Sequence, residues 1–255
     1  VLFHISWNIG STIGPTFAAI SIAMLGGWRL AYLIPALFLL LLSGALNIVG
    51  KKAERGDVVV RDKERRVTSI GYVPIVVSMI MIFYVAAEMG LRNWLPSLLE
   101  ALGSGKIEAG LANGLFWGLM GIGRIGWAPV TERLGYGKTV MYSSSLSLAS
   151  ILVASMELPA SYKTGLWILT GFCLAPIFPA VIAWVTSLKP ESAGLLSGLA
   201  FTNGALGAFA STWSAGLVAG IYGISASQYV FPLYILLMVV VVAIALRLER
   251  KALTH

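Results

Sequence analysis

The chain has 255 residues, of which 58% are hydrophobic and only 11% are charged. Typical soluble domains carry about 25% charged residues. The 18 Lys and Arg and 11 Asp and Glu present here cannot cover the surface that a soluble domain of this length exposes to water. These values exclude a water-soluble fold. One cysteine, Cys173, and two histidines, His4 and His255, also exclude an intrachain disulfide framework and a Cys/His metal site.

Eight stretches are long and apolar enough to cross a membrane as helices, which requires about 20 mostly apolar residues. In chain order they are residues 5–25, 31–49, 70–91, 110–130, 140–156, 165–187, 193–222 and 229–246. Most of them are apolar on all sides, which is typical of helices surrounded by lipid and by each other. The sequence therefore predicts an all-α polytopic membrane bundle of eight transmembrane helices.

A polar stretch at residues 51–69 separates two predicted helices from six. It predicts three parts: residues 1–50 with two helices, a charged loop at 51–69, and a six-helix unit at 70–255. The chain begins inside an apolar helix, without the basic start and cleavage site of a signal peptide. We therefore expect it to be a fragment that lacks preceding helices.

The basic residues are distributed unevenly between the two sides of the predicted helices. Of the 18 Lys and Arg, 14 lie on the side that includes loops 51–69, 131–139 and 189–192 and the C-terminus. By the positive-inside rule this side is cytoplasmic, which places a multi-pass protein in the plasma membrane with its C-terminus inside. Topology thus explains the net charge of +7, and no nucleic-acid partner is expected.

Glu88 is the only acid well inside a predicted membrane span. An acid near the bilayer centre costs about 2.5–3.5 kcal/mol on insertion scales, so it persists for a reason. Tyr84 lies one turn earlier on the same helix face and could donate a hydrogen bond to it. The two residues are candidates for substrate binding or proton coupling. The alternative is a structural carboxylate that is satisfied by Arg92 or by a neighbouring helix.

The fourth predicted helix carries candidate functional residues, and the sixth carries a predicted break. Asn113, Trp117 and Arg124 share one face of the fourth helix. For Asn113 and Trp117 a cavity role and helix packing are both open, whereas Arg124 near the cytoplasmic end is expected to be a gating charge. In the sixth helix, two prolines three residues apart, at 176 and 179, predict a bend that frees backbone carbonyls.

Several glycine pairs with three residues between them predict close helix packing. They occur at 10 and 14, at 110, 114 and 118, at 194 and 198, and at 216 and 220.

These motifs resemble the major facilitator superfamily. Residues 121–124 (GIGR), followed by residues 132–138 (ERLGYGK), are similar to the loop after the eighth helix of that superfamily, with Glu132 where Asp is commoner. Residues 10–15, followed by 27–29, resemble its fifth helix and the turn into the sixth. Residues 88, 93–96, 116–117 and 176–179 are most similar to its sugar-permease branch, which includes fucose/proton symporters.

The resemblance implies that the chain comprises helices five to twelve of a twelve-helix transporter. It places Glu88, Tyr84 and Phe178 toward the central cavity, with Trp117 and Asn203 beside them. Arg124 and the turn that carries Glu132, Arg133 and Lys138 are then expected to govern gating. The implied function is alternating-access transport of a small polar solute, a sugar, coupled to protons, with no enzymatic activity, cofactor or metal.

Three alternatives remain open. A drug/proton antiporter is suggested by residues 10–15, although Ala18 and Ala19 replace the paired glycines of the antiporter signature. A membrane enzyme would need a histidine, a metal cluster or paired acids at membrane depth, whereas the sequence has one such acid and no internal histidine. A structural or receptor protein without transport activity is the third.

The orientation can be tested with reporter tags. We expect a tag within residues 58–60 to be protected from membrane-impermeant reagents added outside, and a tag within residues 103–105 to be labelled, because of the uneven distribution of Lys and Arg. Labelling of intact cells checks this. The opposite labelling pattern would contradict both the orientation and the alignment with the superfamily.

Overall fold

The computed structural model describes residues 2–24, 28–53 and 71–253, with side chains described at 9–24, 28–47 and 71–252. Within these ranges the regular structure is entirely helical, which confirms the predicted all-α class. The α-helices are α1 (Leu2–Met24), α2 (Trp28–Ala53), α3 (Tyr72–Ala101), α4 (Lys106–Leu134), α5 (Tyr136–Ala154), α6 (Ala160–Leu174), α7 (Ile177–Leu188), α8 (Ala193–Tyr222) and α9 (Val230–Leu253).

Each of the eight predicted spans corresponds to a helical segment, and the sixth comprises α6 and α7 together. Five segments of the described chain are long and apolar enough to cross a membrane by length and composition. They are Trp28–Asn47, Tyr72–Ala101, Ala160–Leu188, Pro190–Tyr222 and Ile224–Ala252. The start of the predicted loop at 51–69 is helical as far as Ala53, and residues 54–69 lie outside the described residues. The division at this loop therefore stays a prediction.

Helix α3 is the centre of the bundle. It packs against α4, α6, α7, α8 and α9, whereas α1 packs mainly on α4, and α2 on α1. Val77, Ile80, Met81, Leu91 and Leu95 of α3 are almost completely buried. A polar side chain on most faces of α3 is consequently enclosed by protein.

Glycines allow α8 to lie close to α3. A Cβ atom on Gly207 of α8 would overlap the backbone carbonyl oxygen of Ile82, and one on Gly90 of α3 would overlap Ser211 Oγ. In the same way, Gly110 and Gly114 of α4 lie against the backbone of α1. Close approach of this kind gives helices in lipid extensive van der Waals contact.

The predicted glycine packing is thus confirmed for glycines 110, 114 and 118 of α4, and a Cβ on Gly216 would contact Trp94, but the other predicted glycines have no close neighbour among the described residues. No atom of the described chain lies within 4 Å of a Cβ placed on glycines 10, 14, 194, 198 or 220. The spacing of small residues identifies a helix face that permits close approach. It does not show whether another helix lies on that face.

The predicted break in the sixth span is confirmed. Helix α6 ends at Leu174 and α7 begins at Ile177, because Pro176 and Pro179 have no N–H to donate to carbonyls one turn earlier. Ser143 of α5 donates a hydrogen bond of 2.7 Å to the carbonyl oxygen of Cys173 beside the break. A hydroxyl group on a neighbouring helix thereby provides the hydrogen bond that lipid could not provide to this backbone carbonyl.

Substitution of Gly207 tests the contact between α3 and α8. Helix propensity alone would make Gly207→Ala stabilising by about 1 kcal/mol. The new Cβ must instead displace the Ile82 backbone, so we expect a net destabilisation of about 1–3 kcal/mol. Thermal unfolding of the purified protein in detergent measures the effect. Gly198→Ala on the same helix, where the added Cβ meets open space, is the control; equal melting temperatures of the two variants would contradict the contact.

Candidate functional site

The side chain of Glu88 is enclosed at the centre of the bundle. It is 4% exposed and lies on α3 within a segment that is apolar and long enough to span a membrane. Its carboxyl group interacts electrostatically with Arg92 and Tyr84 of the same helix and with Arg124 of α4. A buried carboxylate is tolerated where cations compensate for its lost hydration. The structure thus brings three of the predicted residues, Tyr84, Glu88 and Arg124, into one cluster.

The approach of Arg124 to Glu88 follows from helix geometry. Helices α3 and α4 are joined by a short turn and are therefore antiparallel neighbours. Arg124 lies farther from this turn than Glu88 does. Because the Cα–Cβ bonds of a helix tilt toward its N-terminus, the two side chains lean toward each other along the helix axis. The long guanidinium side chain spans the remaining difference in depth.

Tyr84 links the carboxylate to an aromatic wall. The side chain of Tyr84 is completely buried, and its hydroxyl forms no hydrogen bond of ordinary length and angle with any residue of the described chain. Its ring centroid is 6.3 Å from that of Phe178, which in turn is 5.7 Å from that of Phe201. The break before α7 therefore places Phe178 against the site, as the sequence predicts, with Phe201 of α8 on its other side.

Trp117 contacts the cluster through Arg92. The guanidinium carbon of Arg92 lies 5.6 Å from the centroid of the Trp117 ring, which is a cation–π arrangement. Arg92 Nε also donates a 3.2 Å hydrogen bond to Asn93 Oδ1. One turn before Trp117, Asn113 is buried, and its Oδ1 atom accepts no hydrogen bond from the described residues. The face of α4 that carries Asn113, Trp117 and Arg124 thus contacts Arg92 of α3 through Trp117.

Asn203 lies apart from this cluster. Its Nδ2 atom donates a 3.0 Å hydrogen bond to Ser78 Oγ, which itself donates to the carbonyl of Ile75. Ser78 precedes Glu88 on α3 by almost three turns. Asn203 therefore provides a polar contact between α3 and α8 at a different level of the bundle, and this contact accounts for its burial.

Of the predicted gating residues, Arg124 alone reaches Glu88. Glu132 and Arg133 at the end of α4, and Lys138 at the start of α5, are exposed. Arg124 and Glu132 line a cavity of about 430 Å³ between α4, the following turn and α7. The remaining lining residues are Trp127, Ala128, Thr131, Gly135, Tyr136, Pro176, Pro179, Ala180 and Ala183. Arg124 thus lies between the Glu88 cluster and this cavity.

Two features of the site and its surroundings were not predicted from the sequence. Trp127 lines the cavity one turn after Arg124. Residues three apart on a helix lie on the same face, so the spacing from Arg124 could have identified Trp127 from the sequence. Serines of α5 at 143, 147 and 150 recur at helical spacing, and two of them donate to carbonyls of α6, at Cys173 and Leu166. This row of hydroxyl groups could have identified the helix that supports the break.

In the part of the chain described, no cluster of three or more His, Cys, Asp or Glu side chains could hold a metal ion.

Comparison with known proteins agrees with the helical architecture. The chain is 24% identical over 219 residues to the fosmidomycin resistance protein of Escherichia coli strain K12, an alignment that covers 81% of this chain and 53% of that protein. The chain therefore spans about half the length of this relative, whose name does not support the expected sugar-permease branch. The family model of the Major Facilitator Superfamily matches residues 1–212. Since this match covers most of the sequence, the chain belongs to the major facilitator superfamily of membrane transporters.

Proposed function

We propose that the chain takes part in secondary active transport of a small organic solute across the plasma membrane, coupled to protons through Glu88. The observation that carries this proposal is a carboxylate that is buried within a membrane span and interacts electrostatically with Arg92 and Arg124. Neither arginine can lose its proton under physiological conditions. Glu88 is therefore the member of the cluster that can gain or lose charge during a transport cycle.

A proton on Glu88 changes the forces between α3 and α4. The carboxylate and the two guanidinium groups together carry a charge of +1, and protonation raises it to +2. The attraction of Glu88 for Arg124 is then lost, while the repulsion between the arginines remains. Since Arg124 belongs to α4 and the other two charges to α3, protonation alters the preferred arrangement of these helices. Such a bias shifts the populations of the states between which an alternating-access transporter moves.

The charged turn after α4 is proposed to act in gating. Arg124, Glu132, Arg133 and Lys138 lie on the predicted cytoplasmic side, where alternative ion pairs can favour inward-open or outward-open arrangements. The exposed positions of Glu132, Arg133 and Lys138 support exchange of partners during this movement. These three residues are not part of the Glu88 cluster, so their gating role is distinct from the proton coupling in which Arg124 takes part.

Two classes of substrate are compatible with the proposed transport. Residues 93–96 and 176–179 resemble sugar permeases and favour proton-coupled uptake of a sugar. The name of the relative from Escherichia coli, a fosmidomycin resistance protein, favours a role in resistance to a drug instead. Measurement of sugar uptake and of drug resistance in cells that lack, or overproduce, the complete protein distinguishes the two.

Glu88→Gln tests the coupling role. The amide preserves the volume and part of the hydrogen-bonding capacity of the side chain but cannot ionise. In the complete protein in vesicles, we expect net substrate accumulation driven by a proton gradient to fall at least tenfold, with folding preserved. A side chain that only carries the proton leaves substrate exchange intact, whereas one that also binds substrate loses exchange as well.

The control for this experiment is Glu100→Gln, which changes an exposed carboxylate near the end of the same helix. It should leave accumulation unchanged. Normal gradient-driven accumulation in Glu88→Gln would show that Glu88 is a structural partner of Arg92 and Arg124, and it would contradict the proposed function.

A further inference from the structure

We propose that Trp184 of α7 and Glu249 of α9 form a clasp that positions α7, the half-helix after the break. While the hydrogen bond between them is intact, the cavity between α4 and α7 stays open. When the bond breaks, α7 moves toward α4 and the cavity closes. This inference goes beyond proton coupling, because it involves neither a proton nor Glu88. It assigns two positioning residues to the movement of α7.

Helix α7 is a short segment with non-helical backbone at both ends. It extends over Ile177–Leu188. Before and within its first turn, Pro176 and Pro179 cannot donate hydrogen bonds to carbonyls one turn earlier. After its last turn, Lys189 has φ −149° and ψ 83°, outside the helical region. Helices bend at interruptions of this kind. These two points therefore allow α7 to shift as a unit.

The surroundings of α7 leave it room on the side of α4. It packs against α3, α5 and α8, and Val181 and Val185 on its inner face are completely buried. Toward α4, its residues Pro179, Ala180 and Ala183 line the cavity of about 430 Å³. Apolar contacts such as those of the two valines are not directional, and packed helices can slide past each other by small distances. The cavity is therefore the space into which α7 can move.

Trp184 gives α7 a directional contact with another helix. Its side chain is 2% exposed. Its Nε1 atom donates a hydrogen bond of 3.1 Å to Oε1 of Glu249, near the end of α9. The hydroxyl groups of Thr186 and Ser187, by contrast, donate to carbonyls of α7 itself. The bond to Glu249 thus fixes the position of α7 in a way that apolar packing does not.

Gly137 at the start of α5 allows the indole ring to reach α9. A Cβ atom on Gly137 would lie 3.0 Å from Cζ2 of Trp184 and 2.6 Å from Cδ2 of Leu246 in α9. The ring therefore lies directly against the backbone of the first turn of α5 and meets α9 there. Helices α5 and α9 also pack on each other. The clasp consequently ties α7 to a packed pair of helices.

The chemistry of the bond makes it both strong and reversible. An N–H group that donates to a carboxylate forms a stronger hydrogen bond than one that donates to a neutral acceptor. Glu249 is half-buried, so water can hydrate its carboxylate when the bond opens, and no buried charge is left unpaired. We expect loss of this bond to raise the ratio of the closed to the open arrangement about tenfold.

Disulfide formation across the cavity tests the clasp. The complete protein carries Cys173→Ala, which removes the native thiol, and the pair Ala128→Cys and Ala183→Cys, whose positions line the cavity from α4 and α7. An oxidant traps this pair when the two helices approach each other. We expect slow trapping in this parent protein and about tenfold faster trapping after Trp184→Phe or Glu249→Leu. Glu249→Gln retains an oxygen that accepts from the indole and should trap as slowly as the parent.

Glu191→Leu is the matched control, because Glu191 is an exposed acid in the turn after α7. It should leave the trapping rate unchanged. The variant with both Trp184→Phe and Glu249→Leu should trap no faster than either single variant, since both substitutions remove the same bond. Glu249→Leu keeps the buried ring in place, so it separates loss of the bond from loss of packing.

Two results would overturn the clasp. Equal trapping rates in the parent, Trp184→Phe and Glu249→Leu would show that the bond does not hold α7 away from α4. Faster trapping in Trp184→Phe but not in Glu249→Leu would show that packing of the ring, and not the bond, positions α7. The assay uses no proton gradient and no substrate, so its outcome is independent of the test of Glu88.

Discussion

The electrostatic balance around one buried carboxylate is the interaction on which the rest of the site depends. Glu88 lies on α3, which packs against five of the other described α-helices, inside a segment that is apolar and long enough to span a membrane. Without nearby cations its charge would cost several kcal/mol. Arg92 from the same helix and Arg124 from α4 supply them. The interaction with Arg124 is the one that joins two helices, so the proposed change in protonation of Glu88 would act on the packing of α3 against α4.

Close backbone packing and the broken span support this arrangement. Gly207 allows α8 to lie directly on the backbone of α3 at Ile82. The break between α6 and α7 places Phe178 against Tyr84, and Ser143 donates a hydrogen bond to the buried carbonyl of Cys173 beside the break. Irregular backbone at membrane depth is stable only where protein provides such partners. The serines of α5 are therefore part of the support for the aromatic wall.

The helices, their approximate ends and the break could be predicted from the sequence, because they depend on local properties such as apolar length and the missing N–H of proline. The approach of Arg124 to Glu88 could not. Depth along each helix predicts Arg124 near the cytoplasmic surface and Glu88 well inside its span, because such an estimate ignores the lean of side chains in antiparallel neighbours. The packing of Asn203 on Ser78 and the open faces at Gly194 and Gly198 were missed for a related reason. A single helix shows which residues share a face but not which helix covers it.

The charge of the cluster also bears on the direction of transport. Two permanent cations and one acid give a positive local charge whether or not Glu88 is protonated. A cationic solute is therefore repelled from this part of the protein in both states, and the competition between proton and cation on which many exchange mechanisms depend has no basis at Glu88. An anion is attracted in both states, and more strongly when the proton is bound. Exchange of a cationic solute for protons therefore requires another group at which the two compete.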